Sequence, residues 1–495
     1  MVESYRGIIK KYFEEHSFVE SNIKSFNYFM EKEMQRIINE VGVVEPTVIP
    51  PDANEFKIKF GKIRIEKPSI VEADGSRRDI FPAEARLRQL TYSAPIYLEV
   101  SSLVDGSPKE VFEAHVAKVP VMLRSKYCHL DGLKYEGLIQ NGEDPEDPGG
   151  YFILNGNEKV LIMVEDLAPN KIFIKEDSLS PSRFTARIFS ERGPYRVPHT
   201  IEQMKEGIIY ISFTRFKRVP IIAVIKALGL VKDQEIANFI SDKVYDDIII
   251  NLYDCVDLKK EEDALEFLAK KAGLMQLKDE RLERVRNDID KYLLPHLGGT
   301  PKSRLIKAYN LCKIIKKFLM VAHEGAELND KDHYSSKKLK LSGDMLADLF
   351  RVNMHVLVND ILYNFQRLVK RGKSYSLRTI IREKLLTSRI KSAMATGVWT
   401  AGRKGISQNI DRTNFLSMSS HLQRVVSMLT ATQENFNARA LHCTHWGRLC
   451  PIETPEGTAI GLRKNIALAC SITQEEFPED KLKRLEALGL KPAKE

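Results

Sequence analysis

Cysteine is scarce in this chain, six residues among 495, and their scattered placement excludes a disulfide framework; a reducing, cytoplasmic setting is the expectation. Long apolar runs are missing as well. A membrane-spanning helix needs roughly 20 consecutive apolar residues, whereas the most apolar region, Val219 to Leu230, is broken by Lys226 and follows Arg215, Lys217 and Arg218. The start of the sequence is expected to be an amphipathic helix rather than a secretory signal: MVESYRGIIKKYFEEH sets Tyr5, Ile8, Ile9, Tyr12 and Phe13 at helical spacing, without an unbroken apolar segment. Internal repeats, low-complexity tracts and any glycine-flanked aspartate triad are absent, so no Mg²⁺-holding carboxylate cluster is visible. Asp330 and Asp332 stand close together, but in the polar stretch NDKDHYSSKK they read as a surface turn.

Against these absences, apolar residues at 43% and charged residues at 29% are globular proportions, and the length calls for two to four domains. The pattern is mixed, α+β. Ile23, Phe26, Met30, Met34 and Ile37 share one face of a second helix. After Pro46, Pro50 and Pro51 the period changes to two, with Phe56, Ile58, Phe60, Ile63 and Ile65 alternating against charged residues, which predicts a half-buried strand. Ile96 to Val100 and Val119 to Leu123 are further strand candidates, and YFIL-NG-NEKVLIMVE predicts a hairpin turning at Asn155-Gly156. Short strands are expected over 170–215 and helices over 219–322, one of them with a stripe of Leu305, Tyr309, Cys312, Ile315 and Leu319. A long helix is expected at about 343–370. From Tyr375 onward the period fades into loops, and the last twenty residues suggest a short surface helix and tail.

The net charge of +9 is concentrated. Between Lys370 and Arg424 lie twelve basic residues (370, 371, 373, 378, 382, 384, 389, 391, 403, 404, 412 and 424) against two acids, Glu383 and Asp411. A polyanion partner explains such a block, because basic side chains release condensed counterions from phosphates; a solvated helix face explains the charge equally well.

Three segments invite chemistry. TGVWTAGRKG (396–405) is not a P-loop, since its lysine is displaced, Ser/Thr is missing and Trp399 interrupts it. A flexible basic loop, with Arg403 and Lys404 touching a nucleic-acid backbone, is the functional alternative to a plain surface loop. His442, Cys443, His445 and Cys450 lack the paired spacing of a zinc site, so no metal is expected there. In CPIETPEGTAIGL (450–462), Pro451 and Pro455 fix the backbone around Glu453 and Glu456. These acids are either solvated, or anchored to orient basic groups or face a reaction centre.

The residues GISQNIDRTNFLSMSSHLQRVVS (405–427) and HCTHWGRLCPIETPEGTAIGLRKNIALA (442–469) closely resemble the fork region of the second-largest subunit of cellular RNA polymerases. Upstream, GYFILNGNEKVLI (150–162), RGPYRVPHT (192–200) and DKDHYSSKKLKLSGDMLADLFR (330–351) fit the archaeal and eukaryotic branch of that family. The resemblance implies the amino-terminal half of a split second-largest subunit, the archaeal B″ class. Its architecture would be a protrusion (1–165 and 345–390), an inserted lobe (166–344) and a fork (391–495).

Loops 396–405 and 427–439 would be the two fork loops. Gln408, Asp411, Arg412, His421 and Arg424 would line the channel for the RNA–DNA hybrid, and Glu453 and Glu456 would lie beside the active centre. The resemblance further implies no catalytic residue and no cofactor in this chain, the catalytic Mg²⁺ being held mainly by the largest subunit. The implied partners are the B′ polypeptide that carries the complementary half, the largest-subunit halves, smaller subunits, template DNA and nascent RNA; no membrane is involved. Bacterial members commonly carry Gln where Arg412 stands, and the second fork loop, MLTATQENFNA, differs from their glycine-rich version. A stand-alone nucleic-acid-binding protein with a fork-like segment is the alternative from another class.

Overall fold

The amino-terminal spacing does form helices. In the computed structural model, which describes residues 2–473 other than 52, 177–183, 194, 242, 244, 276, 373–375 and 433, together with 485 and 487–489, Val2–Glu15 is α1. Its apolar face is uncovered, contrary to the amphipathic pattern's usual meaning: Ile8 and Ile9 are more than half exposed, and Tyr12 and Phe13 are exposed too. Glu20–Tyr28 (α2) passes through a π turn, Phe29–Glu33, into Met34–Val41 (α3). Phe26, Met30, Met34 and Ile37 are buried along the expected face, and Ile23 packs at its margin. The expected carboxy-terminal helix and tail lie largely outside the described residues, as does Lys373.

The chain divides into two compact units, one of Met1–Glu165 with Leu339–Glu495 and one of Asp166–Lys338. In the first, β1 (Val43–Val44), β2 (Phe56–Ile65), β3 (Ser93–Val104) and β4 (Ser107–Pro120) form a four-stranded antiparallel sheet. Phe56, Ile58 and Phe60 point into the core, as the period of two demands. A register shift between Phe60 and Ile63 resets that alternation, leaving Ile63 and Ile65 partly buried. The predicted hairpin is present as β5 (Phe152–Leu154) and β6 (Asn157–Leu161). Asn155 and Gly156 adopt φ of 50° and 77°, as a two-residue turn of right-handed strand twist requires. Strand β7 (Met163–Leu167) follows.

The second unit begins with an antiparallel meander of five strands, β8 (Ile172–Glu176), β9 (Phe184–Arg192), β10 (Tyr195–Gln203), β11 (Ile209–Phe213) and β12 (Phe216–Pro220). Helices follow, among them α4 (Ile221–Ala227), α5 (Lys278–Tyr292) and α6 (Arg304–Glu324). On α6, Cys312, Ile315 and Leu319 are buried as expected, but Leu305 is exposed and Tyr309 only partly covered. A 3.6-residue period brings Ala308 and Leu311 into line with Ile315 and turns Leu305 to the flank. The Asp330 carboxylate accepts the Asp332 backbone N–H at 2.8 Å, a local turn.

Back in the first unit, α7 (Ser342–Lys370) is the long helix the pattern predicted. Beyond it the expectation of loops fails: Glu383–Thr396 is a regular helix, α8. Its buried residues, Leu386, Ile390, Ala393 and Met394, form a narrow face surrounded by Lys, Arg, Ser and Thr, so the polar majority hides the period. The remaining elements, β13 (Ser407–Asn409), α9 (Phe415–Leu422), β14 (Arg424–Ser427) and β15 (Arg463–Asn465), attach to strands far back in sequence. Strand β13 extends the hairpin by pairing with β6. Strand β14 runs parallel to β7 and antiparallel to β15.

Candidate nucleic-acid interface

Loop 396–405 leaves the end of α8 through Gly397 and is anchored by its tryptophan. Trp399 is buried, and its indole N–H donates to the Met345 carbonyl at 2.9 Å. The Trp399 backbone N–H is bonded to the Arg403 carbonyl at 2.7 Å, which closes the loop on itself. Lys404 is exposed at its tip and Arg403 half-buried beside it. The loop therefore has one rigid footing and a basic crown.

The next residues are ordered by a histidine. His421 is buried on α9; its Nδ1 accepts the Asp411 backbone N–H at 3.1 Å, and its Nε2 lies 3.2 Å from Gln408 Oε1. Acceptance at Nδ1 leaves the proton on Nε2, so the imidazole donates to Gln408. Gln408 in turn donates from Nε2 to the Gly405 carbonyl at 2.9 Å. Burial, reinforced by the nearby Arg424 guanidinium, pushes the His421 imidazole down to about 4. His421 is thus a neutral bracket, not a cation for phosphate. Asp411 caps the following turn by accepting the Thr413 N–H at 3.0 Å, and that bond holds its carboxyl below the usual range.

Arg412 is partly exposed, but its guanidinium is engaged by groups of the protein itself. It joins a network in which Arg86 bonds Glu158 at 2.8 Å and Glu143 through both carboxylate oxygens at 2.9 and 2.8 Å. Arg412 reaches Glu158, Asp147 and the Tyr151 hydroxyl, each at 2.7 to 2.9 Å. Burial opposes ionisation of Glu158, yet bonds from Arg412 and Arg86 keep its carboxyl below the ordinary range. Glu143 goes the other way, burial outweighing its single arginine. This network fastens the loop before α9 to the Asp147–Tyr151 turn and to the hairpin. Arg412 consequently has few donors left for an outside phosphate.

Arg424, by contrast, is half-buried at the start of β14 and has neither a side-chain hydrogen bond nor an ion pair among the described residues. Burial first, and the Arg463 guanidinium second, work against its charge. On the other face of the same strand pair Lys464 is buried and meets Glu165 at 3.0 Å, while Asn465, directly opposite Arg424 in the register, donates to the Ser420 carbonyl at 2.9 Å.

Glu453 and Glu456 are exposed on the proline-bounded loop. What holds that loop is Thr454, whose hydroxyl accepts the Gly461 N–H at 2.8 Å and donates to the Arg463 carbonyl at 3.0 Å. Arg439 clamps it from outside, donating to the carbonyls of Thr458 at 2.7 Å, Ile460 at 3.0 Å and Ala431 at 2.7 Å. It thereby joins loop 427–439 to the acid-bearing loop, a role the sequence reading missed; its place between two irregular segments has no periodic signature. Nδ1 of His442 accepts the Thr444 N–H at 3.2 Å, a local turn bond. Among the described residues no group of three or more His, Cys, Asp or Glu could hold a metal ion, all six cysteines are free thiols, and no helix is long and apolar enough to cross a membrane.

Comparison with known proteins gives this geometry its setting. The RNA polymerase beta subunit family matches residues 17–388, and domain 3 of RNA polymerase Rpb2 matches residues 408–472. The chain is 42% identical to DNA-directed RNA polymerase subunit Rpo2N of Methanocaldococcus jannaschii over 98% of its own length and 99% of the relative's. It is 40% identical to Rpo2N of Methanococcus vannielii, again over 98% and 99%. Against subunit Rpo2 of Saccharolobus solfataricus the identity is 40% over 99% of this chain but 43% of the relative. Agreement of this extent, along nearly the whole of two relatives and through the segment that carries His421 and Arg424, means that the chain belongs to the RNA polymerase beta subunit family.

Proposed function

We propose that this polymerase subunit is the amino-terminal half of a split second-largest subunit, of the archaeal B″ class, and that it forms one side of the nucleic-acid cleft without supplying catalytic groups. The observation that carries the reading is Arg424, a half-buried guanidinium with no acceptor of its own among the described residues, presented beside a segment braced by His421, Gln408 and Asp411. A sugar–phosphate backbone is the chemistry that completes such a group, and in a processive enzyme contacts of this kind grip geometry and leave the bases unread. Residues 391–495 act as the fork, 1–165 with 345–390 as the protrusion and 166–344 as the lobe.

Arg403 and Lys404 approach the backbone from the first fork loop. Gln408, Asp411 and His421 shape the channel wall, while Arg412 fixes its footing from behind. Glu453 and Glu456, solvent-facing and held by Thr454 and Arg439, stand toward the active centre as electrostatic neighbours. RNA polymerases use Mg²⁺; the described residues of this chain offer no donor cluster for it, and the largest subunit is its proposed holder. The further partners are the complementary B′ polypeptide, the smaller subunits, template DNA and nascent RNA, in the cytoplasm.

Reconstitution tests the reading. The purified chain alone should show no nucleotidyl transfer, and activity should return only with the B′ polypeptide, the largest-subunit halves and the smaller subunits. RNA synthesis by the isolated chain, or full activity of an assembly lacking it, would overturn it.

A further inference from the structure

We propose that Arg463 acts with Arg424 as a two-point clamp on consecutive phosphates of one nucleic-acid strand, an assignment that rests on the cleft-wall reading above and adds a residue to it. The strand register supplies the geometry. In the antiparallel pair Val426 lies opposite Arg463 and Arg424 opposite Asn465. Side chains two apart share a face, so Arg424 and Arg463 are diagonal neighbours on one face of the ribbon, with Cα atoms about 7–8 Å apart. Their position is not adjustable, because the intervening residues face the other way: Val425 is in the core and Lys464 is bonded to Glu165.

Neither arginine has a side-chain hydrogen bond or ion pair among the described residues. Asp411 and Glu453 are near enough to favour the charge of Arg424 but form no ion pair with it. Two guanidinium groups on one rigid face, one of them half-desolvated, repel each other until an anion bridges them. Each brings a planar fork of donors suited to phosphate oxygens. A polyphosphodiester meets both at once, and the basic excess between Lys370 and Arg424 favours a polyanion over a single carboxylate.

The test uses the complex reconstituted from the full chain and its partner subunits, bound to a preformed RNA–DNA hybrid. Hybrid dissociation is followed across a series of KCl concentrations for wild type, R424A, R463A, R463K and the double alanine variant. Each lost phosphate contact should lower the slope of log affinity against log salt by roughly 0.7–0.9. R463A should therefore reduce the slope by nearly one and shorten retention several-fold, R463K should keep the slope, and the double variant should lose nearly two.

An unchanged slope in R463A, with R424A still reducing it, sinks the clamp and leaves the cleft-wall reading intact. An unchanged slope accompanied by loss of a partner subunit from the R463A assembly shows that the anion is a protein carboxylate, which also overturns the clamp. Wild-type assemblies that hold no hybrid would instead defeat the underlying reading. Unfolding midpoints of the isolated variants, expected to match wild type, separate a contact from a folding defect.

Discussion

Arg412 grips Glu158 along both edges of its carboxylate, Nε to Oε2 at 2.7 Å and Nη2 to Oε1 at 2.9 Å, across a separation of 254 residues in sequence. The pair ties the loop preceding α9 to the hairpin built by residues 152–161, and Arg86 approaches the same carboxylate from the other side. A forked charge-assisted contact of this kind is directional as well as strong.

Removing one partner should therefore cost more than an ordinary surface ion pair. Arg412→Ala leaves Glu158 short of donors in a largely enclosed site and should lower stability by roughly 1–3 kcal/mol. Arg412→Lys should recover only part of that loss, since an ammonium cannot match the fork. Urea unfolding of the isolated chain checks both; an unaffected midpoint in Arg412→Ala would show that the network contributes nothing.

The second prediction concerns pH. His421 is held neutral in the folded chain, its imidazole pushed down to about 4 from an ordinary 6.5. The unfolded chain therefore takes up a proton first as pH falls. The histidine's contribution is present in full above about 6.5 and is lost progressively between 6.5 and 4, on the order of 3 kcal/mol over the whole window. His199 in the inserted unit, pushed by burial to about 4 as well, behaves with the same sign. Comparing His421→Gln with wild type isolates the His421 contribution: the variant should show a shallower loss of stability between pH 6.5 and 4.

Lys464 and Glu165 make a buried pair at 3.0 Å. Lys464→Met takes the lysine away from a buried carboxylate and should cost about 3–5 kcal/mol. Adding Glu165→Leu removes the buried negative charge as well and should restore part of the stability. A double-mutant cycle by denaturant unfolding measures the coupling; additive losses would mean that the two groups act independently.

Gly461 is placed where no side chain fits. Its φ is +73°, and a Cβ there would lie 2.3 Å from the Arg439 carbonyl oxygen. Gly461→Ala should push the acid-bearing loop off loop 427–439, opening both to limited proteolysis. Arg439→Ala, which deletes the carbonyl clamp without adding bulk, should open the same sites. Unchanged cleavage kinetics in both variants would disprove the coupling between the loops.

Much of this was legible in the chain itself. Period-two alternation foretold β2, the Asn155-Gly156 pair foretold its hairpin, and apolar spacing foretold the long helix from Ser342 to Lys370. The motifs around His421 and Glu453 carried the family resemblance. Local regularity made these readable, because each depends on residues within a few positions of one another. Helix α8 escaped notice since four buried residues among a basic and hydroxyl-rich majority leave little periodic signal. The apolar face of α1 was readable as a pattern, but its exposure was not.

The residue types, the hairpin turn and the concentration of positive charge near the carboxyl end were determined by sequence alone, since they follow from local stereochemistry and composition. Which of those charges remain available was decided only in three dimensions. Arg412 and Arg424 stand in one basic block, yet the first is paired with Asp147 of a distant turn and Glu158 of the hairpin that follows it, and the second has no such partner among the described residues. That difference comes from β13 and β14 pairing with β6 and β7, strands far earlier in the chain, a long-range arrangement to which no local pattern is sensitive.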